Sequence, residues 1–370
     1  MTQKISVIVA DDSALMRKII SDMINMEEDM EVIDIARNGL DLLEKLEKQV
    51  PDVITLDVEM PKMNGIEALK KIIELNLKAK VIMLSSLTGD GAEVTMECLA
   101  QGATDFVQKP SGSISLNINE VQDMLVSKIR GTKYIRKQDI KTTVKIDVVE
   151  KNSVSLAGIS KLPNNKNSRT SIRTGSRNNI KNKMVSAVVI GASTGGPKAL
   201  FNLITTLPGN LDVPIFVVQH MPAGFTKAFA ERLNKFSEMK VVEATQGMRI
   251  EKNVVYVAPG GKHMEVDKNV ISLNIEPSIW GVRPAVDKLF ISASRVYKEN
   301  ILGVILTGMG KDGANGIVEI KKSGGITISE DESTCVIYGM PKAAYETNMV
   351  DEVIPLYDIS KKITNIVLRM

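Results

Sequence analysis

"VVIGASTGGPKAL", Val188 to Leu200, runs from an apolar stretch through a small-residue turn into a helical pattern. A strand feeding a helix through a tight Gly-rich turn is the repeating unit of α/β sheets, and it aims either a hydroxyl or a fan of backbone N–H groups at a ligand. The unit recurs downstream. Strand-like SAVVIGAS, VPIFVVQH, VVYVAP, ILGVILTG and GITISE are separated by helical PKALFNLITTL, TKAFAERLNKF and RPAVDKLFISASRVY, with Pro284 expected in the first turn of the last. Residues 184–370 therefore read as a doubly wound α/β domain whose chemistry lies at strand ends.

Upstream, residues 131–183 carry 13 Lys/Arg against 3 Asp/Glu and show no sustained apolar period, so they are expected to form a flexible basic linker. Its single aromatic residue, Tyr134, gives no interleaving of the kind base stacking would require, and no nucleic-acid partner is expected. Residues 1–130 alternate again: ISVIVA, MEVIDIA, DVITLD, KVIMLS and TDFVQ are strand-like, while ALMRKIISDMIN and GIEALKKIIEL repeat apolar residues every three or four positions. Five such strands predict a flavodoxin-like domain with its site beyond the carboxyl ends of the strands.

The 370 residues are 44% hydrophobic and 25% charged, an ordinary globular balance. No apolar run approaches the roughly 20 residues of a membrane span, so no membrane insertion is expected. The opening MTQKISVIVADD lacks the apolar core of a secretory signal. Cys98 and Cys335 have no metal-type spacing and are expected to be reduced and buried, as in a cytoplasmic protein.

In the first domain Asp11 and Asp12 follow the first strand, Asp57 ends the third, Ser85 ends the fourth and Lys109 follows the fifth. Carboxylates converging on one rim repel each other and call for a cation; an all-oxygen site suits Mg²⁺. With the metal present, one carboxylate can attack a phosphoryl group while the metal, Lys109 and Ser85 balance the charge on its oxygens. Any one of these residues alone is an ordinary strand-end polar group. Together, "ADDS", "LDVEMPKMNG", "LSS" and "FVQKP" resemble the receiver domain of two-component response regulators. The resemblance implies that Asp57 accepts phosphate from a histidine kinase and that Ser85 and Lys109 contact the phosphoryl group. It further implies that Asp11, Asp12, Asp57 and the backbone carbonyl of Glu59 serve the Mg²⁺. Phe106 stands where receivers often carry tyrosine.

In the second domain GASTG matches the Gly-x-Ser-x-Gly pattern, in which the residue after the serine, here Thr194, can lend its N–H to an oxyanion hole. A serine nucleophile needs a general base and the base needs an orienting acceptor. The chain has two histidines: His220 closes VPIFVVQH, whereas His263 follows the turn PGG in what reads as a hairpin, and the rigid strand-end position favours His220. ILTGMGKDGANG supplies Asp312 as the third member and the N–H of Met309 as a second oxyanion donor. The competing anion- or nucleotide-binding reading of GASTGGP lacks both the Lys-Ser/Thr ending of a Walker loop and dinucleotide spacing.

"GASTGGPKAL", "QHMP", "VAPGGKHMEV", "RPAVDKLF" and "LTGMGKDGANG" resemble the catalytic domain of chemotaxis protein-glutamate methylesterases, and with the receiver in front the resemblance spans all but the linker. It implies hydrolysis of γ-glutamyl methyl esters on methyl-accepting chemoreceptors and deamidation of receptor glutamines, with Ser193 as nucleophile, His220 as base, Asp312 as its partner and no esterase cofactor. The linker is longer and more basic than is usual there, and Val282 replaces a residue often polar. A receiver joined to a non-catalytic anion- or nucleotide-binding module is the alternative. A DNA-binding output is disfavoured, since no helix-turn-helix candidate follows the linker.

Overall fold

The computed structural model describes residues 4–86, 89–109, 118–132 and 184–369. The expected linker, 131–183, lies outside these residues except for Gly131 and Thr132, which continue a helix.

The first body is β1 (Ile5–Ala10), α1 (Ala14–Asn25), β2 (Met30–Ala36), α2 (Gly39–Lys48), β3 (Val53–Asp57), α3 (Gly65–Glu74), β4 (Lys80–Ser85), α4 (Gly89–Gln101), β5 (Asp105–Gln108) and α5 (Ile118–Thr132). Its parallel strands lie in the order β2-β1-β3-β4-β5, the flavodoxin-like arrangement. Every residue of β3 is buried, as expected for a strand covered on both faces. In α3 the buried Gly65, Ala68, Leu69 and Ile72 fall on one helical stripe. Its start is fixed by a capping box in which Asn64 and Glu67 satisfy each other's backbone N–H groups. The chain reverses direction across the sheet between β1 and β3, which places Asp11, Asp12 and Asp57 around one crevice.

The second body comprises β6 (Ala187–Ala192), α6 (Gly196–Ile204), β7 (Ile215–Gln219), α7 (Phe225–Phe236), β8 (Lys240–Glu243), β9 (Val254–Val257), β10 (His263–Asp267), β11 (Val270–Asn274), α8 (Val286–Tyr297), β12 (Ile301–Ile305), α9 (Ala314–Lys322), β13 (Ile326–Glu330), α10 (Met340–Glu346), β14 (Glu352–Ile354) and α11 (Leu356–Val367). Seven parallel strands run β14-β13-β12-β6-β7-β9-β8, and β10 and β11 form a separate antiparallel hairpin. The hairpin was legible; the edge strands β8 and β14 were not. Pro284 does not lie in the first turn of α8: Ala285 is the N-cap, so the proline precedes the helix by two residues. Ala285 has the extended backbone of an N-cap, so helical dihedrals start only at Val286 and the proline stays outside the first turn.

The two bodies touch. The Phe106 ring on β5 lies 4.6 Å from that of Phe225 at the start of α7, and Ala92 and Met96 of α4 share a buried cluster with Phe225 and Phe229. At the end of α5, Gly131 packs so closely on Ile337 that a Cβ there would meet its side chain at 2.0 Å. Both cysteines are free and buried, Cys98 in α4 and Cys335 near the end of β13.

Candidate phosphoacceptor and active sites

In the first body, Asp11, Asp12 and Asp57 each offer a carboxylate oxygen within 4.8 Å of the others. Lys109 Nζ bridges two of them, 2.8 Å from Asp11 Oδ2 and 2.7 Å from Asp57 Oδ1. Burial pushes the Asp57 carboxyl up to about 6, against the hydrogen bond and charge of Lys109 and with help from the Asp11 charge. Burial also disfavours the Lys109 ammonium, yet its bonds to Asp11 and Asp57 hold its pKa above the usual value. A cleft of about 140 Å³ opens here, lined by Asp12, Asp57, Glu59, Ser85 and Lys109 among others. Ser85 reaches this cleft with its hydroxyl engaged elsewhere: it accepts from Thr95 at 2.8 Å and donates to the Gly91 carbonyl at 3.2 Å. The Glu59 N–H faces Asp57 Oδ1 at 3.4 Å.

The second site grows from the register of the three central strands. β6 and β7 pair in parallel with Ala192 opposite Gln219, so the next residues, Ser193 and His220, emerge side by side with backbones about 5 Å apart. On the other side β12 pairs with β6, and the Ser193 N–H donates to the Thr307 carbonyl at 3.0 Å. β6 and β12 also mark the point where the strand order reverses, the crevice in which doubly wound sheets bind ligands. Gly195, at φ +78°, turns the chain into α6, where Val336 packs too closely for a Cβ. Gly308 abuts the serine, and a Cβ there would lie 2.8 Å from Ser193 Cβ.

His220 Nε2 lies 2.8 Å from Asp312 Oδ2, with side chains 10% and 3% exposed. Ser193 Oγ makes no hydrogen bond to His220 among the described residues, and neither do the N–H groups of Thr194 and Met309 find acceptors there. Asp312 is held rigidly: the N–H groups of Val286 and Asp287, at the start of α8, donate to its two oxygens at 2.6 and 2.9 Å. Helix N-termini favour negative charge, so α8 supports the carboxylate that faces the imidazole. The arrangement is reciprocal. Asp287, which sequence reasoning missed, accepts from Gly313 and Gly316 N–H at 3.0 and 2.7 Å and from Asn315 and Trp280. Burial raises its pKa, opposed by the Gly316 bond and reinforced by the Asp312 charge.

His263 occupies a different environment. It is fully buried, its Nδ1 accepts from Ala285 N–H at 3.2 Å and its Nε2 faces the Pro277 carbonyl at 3.1 Å. Both ring nitrogens brace the approach to α8, one step removed from the Ser193 crevice. Two further supports were not identified from sequence. Gln219 donates from Nε2 to the carbonyls of Ser193 and His220 at 2.9 and 3.2 Å. Buried Glu330 accepts the Thr307 N–H at 2.7 Å, and the Thr307 hydroxyl donates to the Thr194 carbonyl at 3.0 Å. A glutamine beside the candidate base was the available signal for the first; nothing local marks the second.

Comparison with known proteins separates the same two regions. The family profile described as response regulator receiver domain matches residues 7–118, and that described as CheB methylesterase matches 188–363. A "Protein-glutamate methylesterase/protein-glutamine glutaminase" of Clostridium acetobutylicum is 51% identical over 99% of this chain and 98% of its own. Relatives of the same description from Pyrococcus abyssi and Thermotoga maritima are 45% and 42% identical, over 99% and 98% of this chain and 94% and 98% of theirs. Near-complete alignment at these identities, across both bodies and with the strand-end chemistry in place, makes this chain a member of the protein-glutamate methylesterase/protein-glutamine glutaminase family.

Proposed function

We propose that the protein hydrolyses γ-glutamyl methyl esters on chemoreceptors and deamidates particular receptor glutamines, gated by phosphorylation of Asp57. The observation that carries the reading is that Ser193 and His220 emerge side by side beyond the paired strands β6 and β7, with Asp312, from the loop that follows β12, already bonded to His220. Since Nε2 is bound to Asp312, Nδ1 is the nitrogen available to take the serine proton. Ser193 Oγ attacks the γ-carbonyl carbon as its proton passes to His220, and Asp312 stabilises the imidazolium. Developing negative charge on the carbonyl oxygen is met by the Thr194 and Met309 N–H groups. The C–O or C–N bond then breaks, and methanol or ammonia leaves with the proton from His220. Water, deprotonated by the same ring, cleaves the acyl-serine and leaves a glutamate carboxylate. The non-catalytic alternative gains no support from a histidine so oriented. A serine-reactive phosphonate separates the two readings, because it labels Ser193 in a hydrolase alone.

At the receiver, the three carboxylates offset by one ammonium suit a divalent cation, and Asp11, Asp12, Asp57 and the Glu59 carbonyl would hold Mg²⁺. That ion supplies charge neutralisation for phosphoryl transfer from a histidine kinase. Asp57 is the acceptor, Lys109 pairs with the phosphoryl oxygens, and Ser85 exchanges its bond to Gly91 for one to the phosphate. The added negative charge, about one to two units, competes for Lys109, which follows Phe106 by three residues on the chain segment contacting α7. Phe225, the other half of that contact, follows His220 by five residues, so docking of the receiver bears on the mouth of the esterase site. No helix among the described residues is long and apolar enough to cross a membrane. Phosphorylation by a histidine kinase and action on chemoreceptors support a cytoplasmic site of work. The decisive assay is methyl release from methylated receptor membranes with and without a small-molecule phosphodonor. Release that is absent, or indifferent to the donor, contradicts the hydrolase or the gate respectively.

A further inference from the structure

Trp280 stands at the first central position of a two-residue turn. Ile279 and Val282 exchange both backbone hydrogen bonds, at 3.1 and 3.0 Å, and Trp280 and Gly281 have φ of +55° and +77°. Such turns favour Asn-Gly, and a bulky aromatic residue at positive φ is under steric strain. Burial does not offset that strain, because the side chain is 51% exposed even with the receiver docked. The ring is nevertheless fixed from two sides. Its Nε1–H donates to Asp287 Oδ2 at 3.2 Å, and Lys311 Nζ lies 3.9 Å from its centroid. Both anchors lead to the carboxylate that orients the candidate base: the Asp287 N–H donates to Asp312, and Lys311 precedes Asp312 in the chain. Lys311 is itself exposed, and its ammonium meets no carboxylate at ion-pair distance among the described residues. Exposed Met309, one of the oxyanion candidates, belongs to the same loop.

We propose that Trp280 and Lys311 form a recognition subsite for an acidic side chain of the protein substrate, close to the glutamyl ester undergoing hydrolysis. This rests on the methylesterase reading and specifies how the substrate is held. Lys311 pairs with the substrate carboxylate while the indole fixes the ammonium and backs the methylenes of the acidic side chain. The occupant follows from charge: the substrate of such an enzyme displays glutamates, and each turnover adds a carboxylate to it. An unpaired cation immobilised on an aromatic face beside the reacting group complements that surface.

The test uses the full-length protein with a phosphodonor and measures kcat and KM for methyl release from methylated receptor membranes. Lys311→Glu should raise KM about tenfold or more with kcat within about twofold, while Lys311→Arg stays near the parent protein. Trp280→Asn, which suits the turn and removes the ring, should raise KM about threefold or more. Added salt should raise the KM of the parent protein and leave that of Lys311→Glu much less affected. In every variant, labelling of Ser193 by a serine-reactive phosphonate should proceed at the parent rate. The proposal fails if KM is unmoved in Lys311→Glu, if kcat falls while KM holds, or if labelling is lost as well, since the pair would then serve the chemistry or the fold. A parent protein that releases no methyl groups would instead remove the hydrolase reading, and this subsite with it.

Discussion

Replacing Glu330 by Gln should stabilise the protein at alkaline pH and leave it nearly unchanged in acid. Glu330 is fully buried, and burial pushes its carboxyl from 4.5 to about 7, against hydrogen bonds from the Thr307 N–H, the Thr334 hydroxyl and Cys335 and with a smaller push from the Asp331 charge. Its folded pKa therefore lies above its unfolded one. Between those values the folded state holds a proton that the unfolded chain has lost, so the contribution to stability is fully present below about 4.5 and disappears as pH rises through about 7. At about 1.4 kcal/mol per pH unit, the full difference is on the order of 3 kcal/mol. Glutamine is neutral throughout and resembles the protonated acid: its carbonyl can accept the Thr307 N–H, while the Thr334 hydroxyl must turn to accept from its amide. That adjustment adds a pH-independent offset, so the slope is the diagnostic quantity. Thermal melts of both proteins from pH 4.5 to 8.5 should show the Tm advantage of Glu330→Gln growing by roughly 5–10 °C and levelling above about pH 7.5. An advantage that stays constant with pH, or shrinks as pH rises, would show that Glu330 is not held protonated by its surroundings.

Ser193→Ala should lose on the order of 10⁶ in turnover while Asp57 still takes up phosphate, measured as methyl release beside phosphodonor labelling; near-normal release would refute the covalent route. His220→Gln should match the serine mutant, whereas His263→Gln, which disturbs only the braces at Ala285 and Pro277, should retain far more activity; the opposite ranking would overturn the assignment of the base. Asp57→Asn should keep the low basal rate and lose the response to phosphodonor, while deletion of residues 1–130 should raise the basal rate and abolish the response. If the truncated protein is no faster than the unphosphorylated full chain, the receiver activates by a positive contact rather than by covering the site.

The first sheet was legible because its central strands are buried on both faces and read as apolar runs, because the half-exposed edge strand β2 still carries apolar residues through MEVIDIA, and because the candidate reactive groups sit at the ends of those runs. The same rule singled out Ser193 and His220, and the structure has each of them just beyond a buried strand. It failed for β8, whose sequence KVVE is half polar, and for β14, only three residues long, since an edge strand pairs on one side and needs no continuous apolar run. Asp312 was readable from its glycine-dense loop, but its hold by α8 was not, because a backbone N–H carries no side-chain signature. Asp287 and Glu330 escaped for a related reason. An acidic residue on a helix or at a strand end looks solvated until the fold supplies buried donors from segments more than twenty residues away. Pro284 was misplaced because a proline suits the approach to a helix as well as its first turn.

Cys98 and Cys335 are the chain's two thiols, and both are shut inside the protein. Burial pushes Cys98 up to about 12 and Cys335 higher still, so almost none of either is thiolate at neutral pH, and thiolate is the form that alkylating labels attack. To thiol-directed labels the native molecule is therefore nearly blank. A cysteine introduced on an exposed face of each body, for example at Lys18 and Lys342, would take a spin label or dye in preference to the native pair. The distance between the two labels would then report, in a chain otherwise unaltered, whether phosphorylation of Asp57 parts Phe106 from Phe225.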